Sequence, residues 1–566
     1  MTKKQAFSQL AVFVLLASLL VVPTVHAQQA TRLAKQFSSS LAQRRGLCVY
    51  LGGTETTIPL LLSAGGNHIV NILTPDSDAV ESMRTEISEQ QLLGVVTAEQ
   101  VSLGHLPHSS NLVNLVVVDQ LGKQLAAGLQ LKDVMRILAP GGVAWIGQSR
   151  SAGGLSESAL KLQLEKAGID DAAIVKEDGL WARIVKPRPA TMDTWTHNKY
   201  DATANPVSRD SQIGVPRGVR WVAGPNWPTG YRKSAVPTVV ASRERLVYVF
   251  QDEVVVDGKL ERQDSLIARD AYNGLPLWRR KGTTTVLVSV GDRVYTTDAG
   301  RHLLALDADT GKQLTDFSAD AKLVIHQLLH IDGTLVVGTE TGLSVLEAAS
   351  GKTLWSKQLA IKDHRQLVVG TVAGKKIIFC HDDLSRRGEG SFMVALAISD
   401  GTTLFRQSTE DWANGSPDLV LVQDDILVAA DSKGNHGVSA KDGKHLWSYS
   451  YPRIGHGGSY NKVLSMNGLF WIHTANTQES GQYAWEGLDP QKGKVVKRVI
   501  QPVDFKIKHR CSVDVATTRF FMCGSMDFAD LVTGDYEHFE AARNSCAQAS
   551  MLPANGLLYT FPHACG

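Results

Sequence analysis

Asp270-Ala-Tyr-Asn-Gly274-Leu-Pro-Leu-Trp278 decides the architecture, because the chain repeats this phrase in degenerate form six more times. The later copies run Asp307 to Thr315, Glu347 to Trp355, Ala397 to Phe405, Ser439 to Trp447, Asp489 to Lys497 and Asp530 to His538. Each has glycine at its fifth position, and successive glycines lie 37 to 50 residues apart. The phrase reads as a hairpin. An apolar strand such as Leu303 to Asp307 enters a polar turn whose glycine can take positive φ, and the next strand opens on a large side chain. Strand-rich repeats of roughly 40–50 residues are the signature of a β-propeller. The recurring Trp278, Trp355, Phe405 and Trp447 are expected between neighbouring blades.

Outward from the repeats, 566 residues exceed one ordinary core and call for several domains. Lys3 and Lys4 precede an uncharged run from Leu10 to Val22, and Val25-His26-Ala27 offers small residues for cleavage. Residues 1–27 therefore read as a secretory signal peptide, with a periplasmic or secreted destination. No later stretch is apolar and long enough to span a bilayer. Without the leader's two lysines the chain has 56 basic and 56 acidic residues, so no nucleic-acid partner is expected. Cys48 and Cys380 sit in apolar runs and read as core thiols. Cys511, Cys523, Cys546 and Cys565 cluster late in the chain, which in an oxidising compartment suggests two disulfides with three connectivities open. No Cys-x-x-Cys spacing or paired histidine supports zinc, and no metal site is assigned.

Residues 36–186 alternate apolar strands (Gly46 to Gly52, His68 to Thr74, Asn111 to Asp119, Gly142 to Gly147) with helical stretches (Ser77 to Leu93, Gly122 to Leu138, Glu157 to Ala167). This pattern predicts a parallel α/β sheet covered on both faces. Leu138-Ala-Pro-Gly-Gly142 before an apolar strand resembles the turn of class I S-adenosylmethionine-dependent methyltransferases. The resemblance implies a cofactor site at Gly52, Gly53, Asp76 and Asp119. The acid that the family places before its first glycines is replaced here by Tyr50-Leu51. Export would also remove the chain from the cytosolic supply of S-adenosylmethionine. The domain is thus expected to be an inactive methyltransferase-like module, with active methyl transfer as one alternative.

Residues 187–217 read as a linker and 218–566 as the propeller. Asp193 to Arg209, together with the repeats, resembles exported proteins with pyrroloquinoline-quinone-like (PQQ-like) repeats of planctomycete type, some of which carry a methyltransferase-like domain in front. The implied fold is multidomain: a Rossmann-like (class I methyltransferase-like) α/β domain, then an all-β, seven- or eight-bladed quinoprotein-like β-propeller. Asn555 to Thr560 starts a further unit; either N-terminal strands complete an eighth blade or the sequence is truncated, and the eight-blade ring is expected. Quinoprotein dehydrogenases hold PQQ with Ca²⁺ on Glu, Asn and Asp oxygens, often over adjacent cysteines. No such cysteine pair occurs here, and the acidic residues are not grouped by spacing. The resemblance therefore favours a binding or assembly scaffold, with a PQQ-dependent alcohol or sugar oxidoreductase as the other alternative. Candidate residues of a propeller-face site are Trp195, His197, His381, Arg386, His456 and Arg510, facing an envelope protein, a small molecule or a sugar.

Overall fold

A computed structural model describes residues 25–41, 45–223, 236–282, 284, 286–298, 301–319, 324–339, 341–360, 367–384, 388–451, 462–476, 482–502, 514–523, 526–540 and 551–561. The chain divides into two compact units, meeting at Arg188 and Pro189.

The first unit is a seven-stranded sheet with helices α1 (Val25–Ser39), α2 (Thr57–Ser63), α3 (Ser77–Glu89), α4 (Leu121–Ala126), α5 (Leu131–Ile137) and α6 (Glu157–Lys166). Its strands are β1 (Gly46–Leu51), β2 (His68–Thr74), β3 (Val96–Gln100), β4 (Val113–Val118), β5 (Leu138–Ser149), β6 (Ala173–Val175) and β7 (Gly179–Val185), in the order 3-2-1-4-5-7-6. The central strands β1 and β4 are buried and almost wholly apolar, Asn114 excepted, because both of their faces are covered. α3 begins at Asp76, whose carboxylate accepts from the Asp78 and Ala79 amides, and it buries Ala79, Val80, Met83 and Ile87 at helical spacing. α1 begins upstream of residue 36, and its Phe37 packs on Trp145 and Trp181 at 5.3 and 4.9 Å between ring centroids.

Two expectations change. The sheet is mixed, since β7 runs antiparallel to both β5 and β6. Only three residues separate β6 from β7, too few for the crossover that a parallel neighbour needs. The helical stretch 122–138 is two short helices, interrupted by Gly128 at φ +98°.

In the second unit, eight antiparallel sheets follow one another among the described residues. Their first strands are Thr238–Ser242, Leu287–Val290, Ile325–Ile331, Val368–Val372, Asp418–Gln423, Val463–Met466, Val515–Thr517 and Leu552–Ala554, here assigned to blades 1 to 8. Five blades have four strands in plain meander order, and the first strand of blade 8 lies against those of blades 7 and 1. The ring is closed, with the first strands innermost.

The repeated phrase explains the ring. In Asp270–Trp278 the Asp270 carboxylate accepts from the Tyr272 and Asn273 amides, and the Gly274 amide donates to the Asp270 carbonyl at 3.0 Å. All seven phrase glycines have φ between +62° and +80°. The aromatic of one phrase covers the glycine of the next blade: Trp278 lies over Gly311, Trp355 over Gly401, Phe405 over Gly443 and Trp447 over Gly493. The indoles of Trp278, Trp355 and Trp447 also donate to the Ala308, Ile398 and Pro490 carbonyls at 2.9, 2.8 and 2.7 Å. The exceptions obey the same rule. Thr315 and Lys497 stand where an aromatic would, and Gly351 meets backbone of Ser318 while a Cβ on Gly534 would meet nothing within 4 Å. Gly274 of blade 1 is covered by Trp221, whose indole donates to the Ala271 carbonyl at 3.2 Å. Trp221 precedes the first phrase, so an N-terminal residue supplies the aromatic that docks on blade 1.

Candidate functional site

The segment expected to be a linker is built into the ring. Asp193 to Asp210 runs around the inside of the propeller and bonds to the blades in chain order. The Asp193 carbonyl accepts from the Asn555 amide of blade 8 at 3.0 Å. Trp195 exchanges two backbone bonds with Ala241 of blade 1, at 2.7 and 2.8 Å. The Thr196 carbonyl accepts from Ser289 of blade 2 at 3.0 Å, and His197 Nε2 accepts from the His330 amide of blade 3 at 2.9 Å. Ala202 and Thr203 carbonyls accept from Val369 of blade 4 and Val422 of blade 5, at 2.9 and 3.3 Å. The Asn205 side chain donates to the Ser465 carbonyl of blade 6 and accepts from its amide, both at 2.9 Å. Val207–Ser208 then pairs in parallel with Ala516 and Thr517 of blade 7. Asp210 returns to blade 8, accepting from the Gly556 amide at 2.8 Å. Eighteen residues make one full turn of the axis.

This placement settles where several candidates stand. Trp195 and His197 are buried on the axial segment, 2 % and 4 % exposed, rather than lining an open mouth. Because His197 Nε2 accepts an amide proton, the ring's own proton sits on Nδ1, which faces Thr196 Oγ1 at 2.8 Å. Burial, with His330 nearby, pushes this imidazole down to about 3. His381 is also interior: it lies in blade 4, 1 % exposed, and burial lowers its pKa to about 4. Arg386, His456 and Arg510 lie outside the described residues, as do Cys511, Cys546 and Cys565 and most of the leader. Cys523 was expected in a disulfide. It is a free, buried thiol, packed with Trp471, Trp485 and Phe521 between blades 6 and 7, where its strand points it into apolar core. Cys48 and Cys380 are buried free thiols, and burial raises Cys380 to about 12.

In the first unit, Gly52, Gly53 and Asp119 come together at the carboxyl ends of β1 and β4, where the strand order reverses. That crevice is where open α/β sheets bind ligands. Here two of the chain's own side chains lie against its glycines. Tyr50 is buried, and a Cβ on Gly52 would lie 2.2 Å from its ring. Gln120, at φ +54°, reaches back to donate to the Gly52 carbonyl at 3.2 Å, and its amide group would meet a Cβ on Gly53 at 3.1 Å. Asp119 Oδ1 accepts from the Gln120 and Ser149 amides at 2.7 and 2.8 Å, while burial raises its pKa. Asp76 is exposed and spends its carboxylate on capping α3. Tyr50 and Gln120 thus lie against the two glycines that the family keeps clear for its cofactor.

No group of three or more His, Cys, Asp or Glu among the described residues is arranged to hold a metal ion. The ring axis itself is occupied by residues 193–210.

The sequence reading missed Asp193, Asn205 and Asp210. Asp193 Oδ2 accepts from the Tyr200 hydroxyl and the Arg209 amide, both at 2.7 Å, tying the start of the turn to its middle and end. The signal available was a run of Asp, Asn, Thr and aromatics far denser than a solvated linker needs.

The family model described as outer membrane protein assembly factor BamB matches residues 221–326, 262–384 and 328–468, in overlapping copies. The second unit therefore carries PQQ-type repeats. Among solved structures, BamB from Moraxella catarrhalis is similar at 13 % identity and TM-score 0.32, covering 55 % of this chain and 92 % of that one. Quinohemoprotein alcohol dehydrogenase from Comamonas testosteroni matches at 14 % identity and TM-score 0.40, covering 61 % and 72 %. A SAM-dependent methyltransferase from Aquifex aeolicus matches at 19 % identity and TM-score 0.23, covering 27 % and 89 %. The comparison with curated proteins found no match.

Proposed function

We propose that this chain is an exported propeller scaffold that binds a partner protein of the cell envelope, and that its methyltransferase-like domain is not catalytic. The observation that carries this reading is the turn of chain 193–210 on the ring axis, the place where a propeller would otherwise receive a small cofactor. The rim supports it too. Leu354, Leu404, Leu446 and Val496 occupy the same place in four successive phrases, and all four are exposed. Repetition turns isolated apolar residues into a belt along blades 3 to 6, a surface suited to a protein rather than to a sugar. The repeat family, described by an assembly factor, is consistent with that role.

The test is capture by photo-crosslinking from rim positions of the full chain in envelope extracts, against the variant Leu404→Glu/Leu446→Glu. Recovery of one defined protein, lost in the variant, is the expected result. Recovery of nothing specific sinks the scaffold reading. Incubation with PQQ and Ca²⁺ should give no dye reduction with alcohols or sugars; turnover would replace the scaffold by an oxidoreductase.

A further inference from the structure

We propose that the axis of this propeller is a peptide-binding site whose resident occupant is the chain's own segment 193–210, and that Asp193 and Asp210 latch this segment so as to close the ring from inside. The inference concerns the ring itself and stands whether or not the rim binds a partner.

The geometry is that of a ligand seated in a site. Every blade contributes a bond from its innermost strand or, in blade 8, from the turn that follows that strand. Most of these bonds run from main chain of a blade to main chain of the segment. Three places use side chains, at His197, Asn205 and Asp210, the last through its carboxylate on the Gly556 amide. His197 Nε2 and the Asn205 amide take the main-chain groups of blades 3 and 6 where the segment's own backbone is turned elsewhere. At His197 the cause is local: its amide donates to the Tyr200 carbonyl, closing a tight loop over 197–200.

Closure is concentrated at one point. Asp210 is fully buried and accepts three amide protons: Asp193 at 3.1 Å, Gln212 at 3.0 Å and Gly556 at 2.8 Å. One carboxylate thus joins the start of the turn, its end and the turn between the two strands of blade 8. The Asp193 carbonyl adds the Asn555 amide beside it, and the Asp193 carboxylate holds Tyr200 and Arg209. Gly556 sits at φ +69°, and a Cβ there would lie 3.0 Å from the Met192 side chain, so the turn is packed as well as bonded. Blade 8 has only two described strands, Leu552–Ala554 and Leu557–Tyr559, and it is the blade that this latch grips. Among the described residues, the blade with the fewest paired strands is the one that the Asp210 carboxylate holds.

The experiment is hydrogen exchange on the full chain, read amide by amide. In the wild-type protein the amides of 193–210 and of 552–559 should open together, with one shared protection factor well above that of surface turns. Fast exchange of 193–210 while 552–559 stays protected would overturn the proposal without any variant. Asp210→Ala should raise exchange by about tenfold to a hundredfold at Asp193, Gln212, Asn555, Gly556 and the strands of blade 8, leaving blades 3 to 5 within a few-fold of wild type. Val337→Ala, a core truncation in blade 3, controls for general weakening. If Asp210→Ala and Val337→Ala give the same footprint, Asp210 is an ordinary buried residue and the latch is wrong. Should Asp210→Ala not fold, Asp210→Asn keeps the shape and loses one acceptor, and the same comparison applies.

Discussion

A single histidine shows how the axis constrains chemistry. His197 must stay neutral to accept the His330 amide, and burial holds its pKa far below that of an unfolded chain. His381 is depressed for the same reason. Between the depressed folded values and the usual value of about 6.5, the unfolded state binds more protons, so stability is complete above that range and falls as pH drops through it. Each of the two residues should contribute a slope of about 1.4 kcal/mol per pH unit. His197→Gln, whose amide oxygen can still accept, should flatten that slope by about one proton in chemical denaturation followed from pH 7 to pH 4; an unchanged slope would show that His197 does not titrate as its burial implies. The phrase glycines give a second residue-level contrast. Gly493→Ala puts a Cβ 2.5 Å from Trp447, whereas Gly534→Ala has open space and only its positive φ to bear. The first should cost about 1–3 kcal/mol more than the second in equilibrium unfolding.

At the level of elements, the hairpin phrase was legible because side chains write it. Aspartate takes the turn's amides, glycine supplies the left-handed residue, and the aromatic covers the next glycine. Even its failures were readable, since Thr315 and Lys497 mark two junctions that have no aromatic dock among the described residues. The parallel core strands were legible for a similar reason, as predominantly apolar runs. The axial segment was not. Its bonds are mostly main chain to main chain, which no residue type announces, and it has no repeat of its own. Proline and asparagine there resemble a linker's composition although Asn205 is doing sheet-like work on Ser465. The crevice of the α/β unit lies between these extremes. Loss of the acid at Tyr50 was visible, but that the ring would turn onto Gly52 was not, because a strand residue's rotamer is set by packing. Calorimetry with S-adenosylmethionine should give no binding heat, and micromolar binding would reverse the reading of this site. Tyr50→Ala should lower stability by about 3–5 kcal/mol, as removal of a fully buried aromatic does.

For the whole molecule, the propeller's ring is held by two systems at different radii. Outside, each aromatic locks one blade to the next, so damage there is local: Trp447→Ala should loosen blades 5 and 6 by about 3–5 kcal/mol while leaving amides of blades 1 and 2 protected. Inside, one strand of chain touches all eight blades, so its loss would be felt around the circle. The inner system also sets a timetable for biosynthesis. Asp210 and Gly556 are separated by 346 positions in the sequence. The inner turn leaves the ribosome before any blade exists, yet it cannot be fastened until residue 556 has been made. Such distant pairing is slow, and the half-built ring exposes unpaired strand edges while it waits. A chain of this design would gain from being kept unfolded until synthesis is finished, which is the state in which a polypeptide threads through a translocation pore.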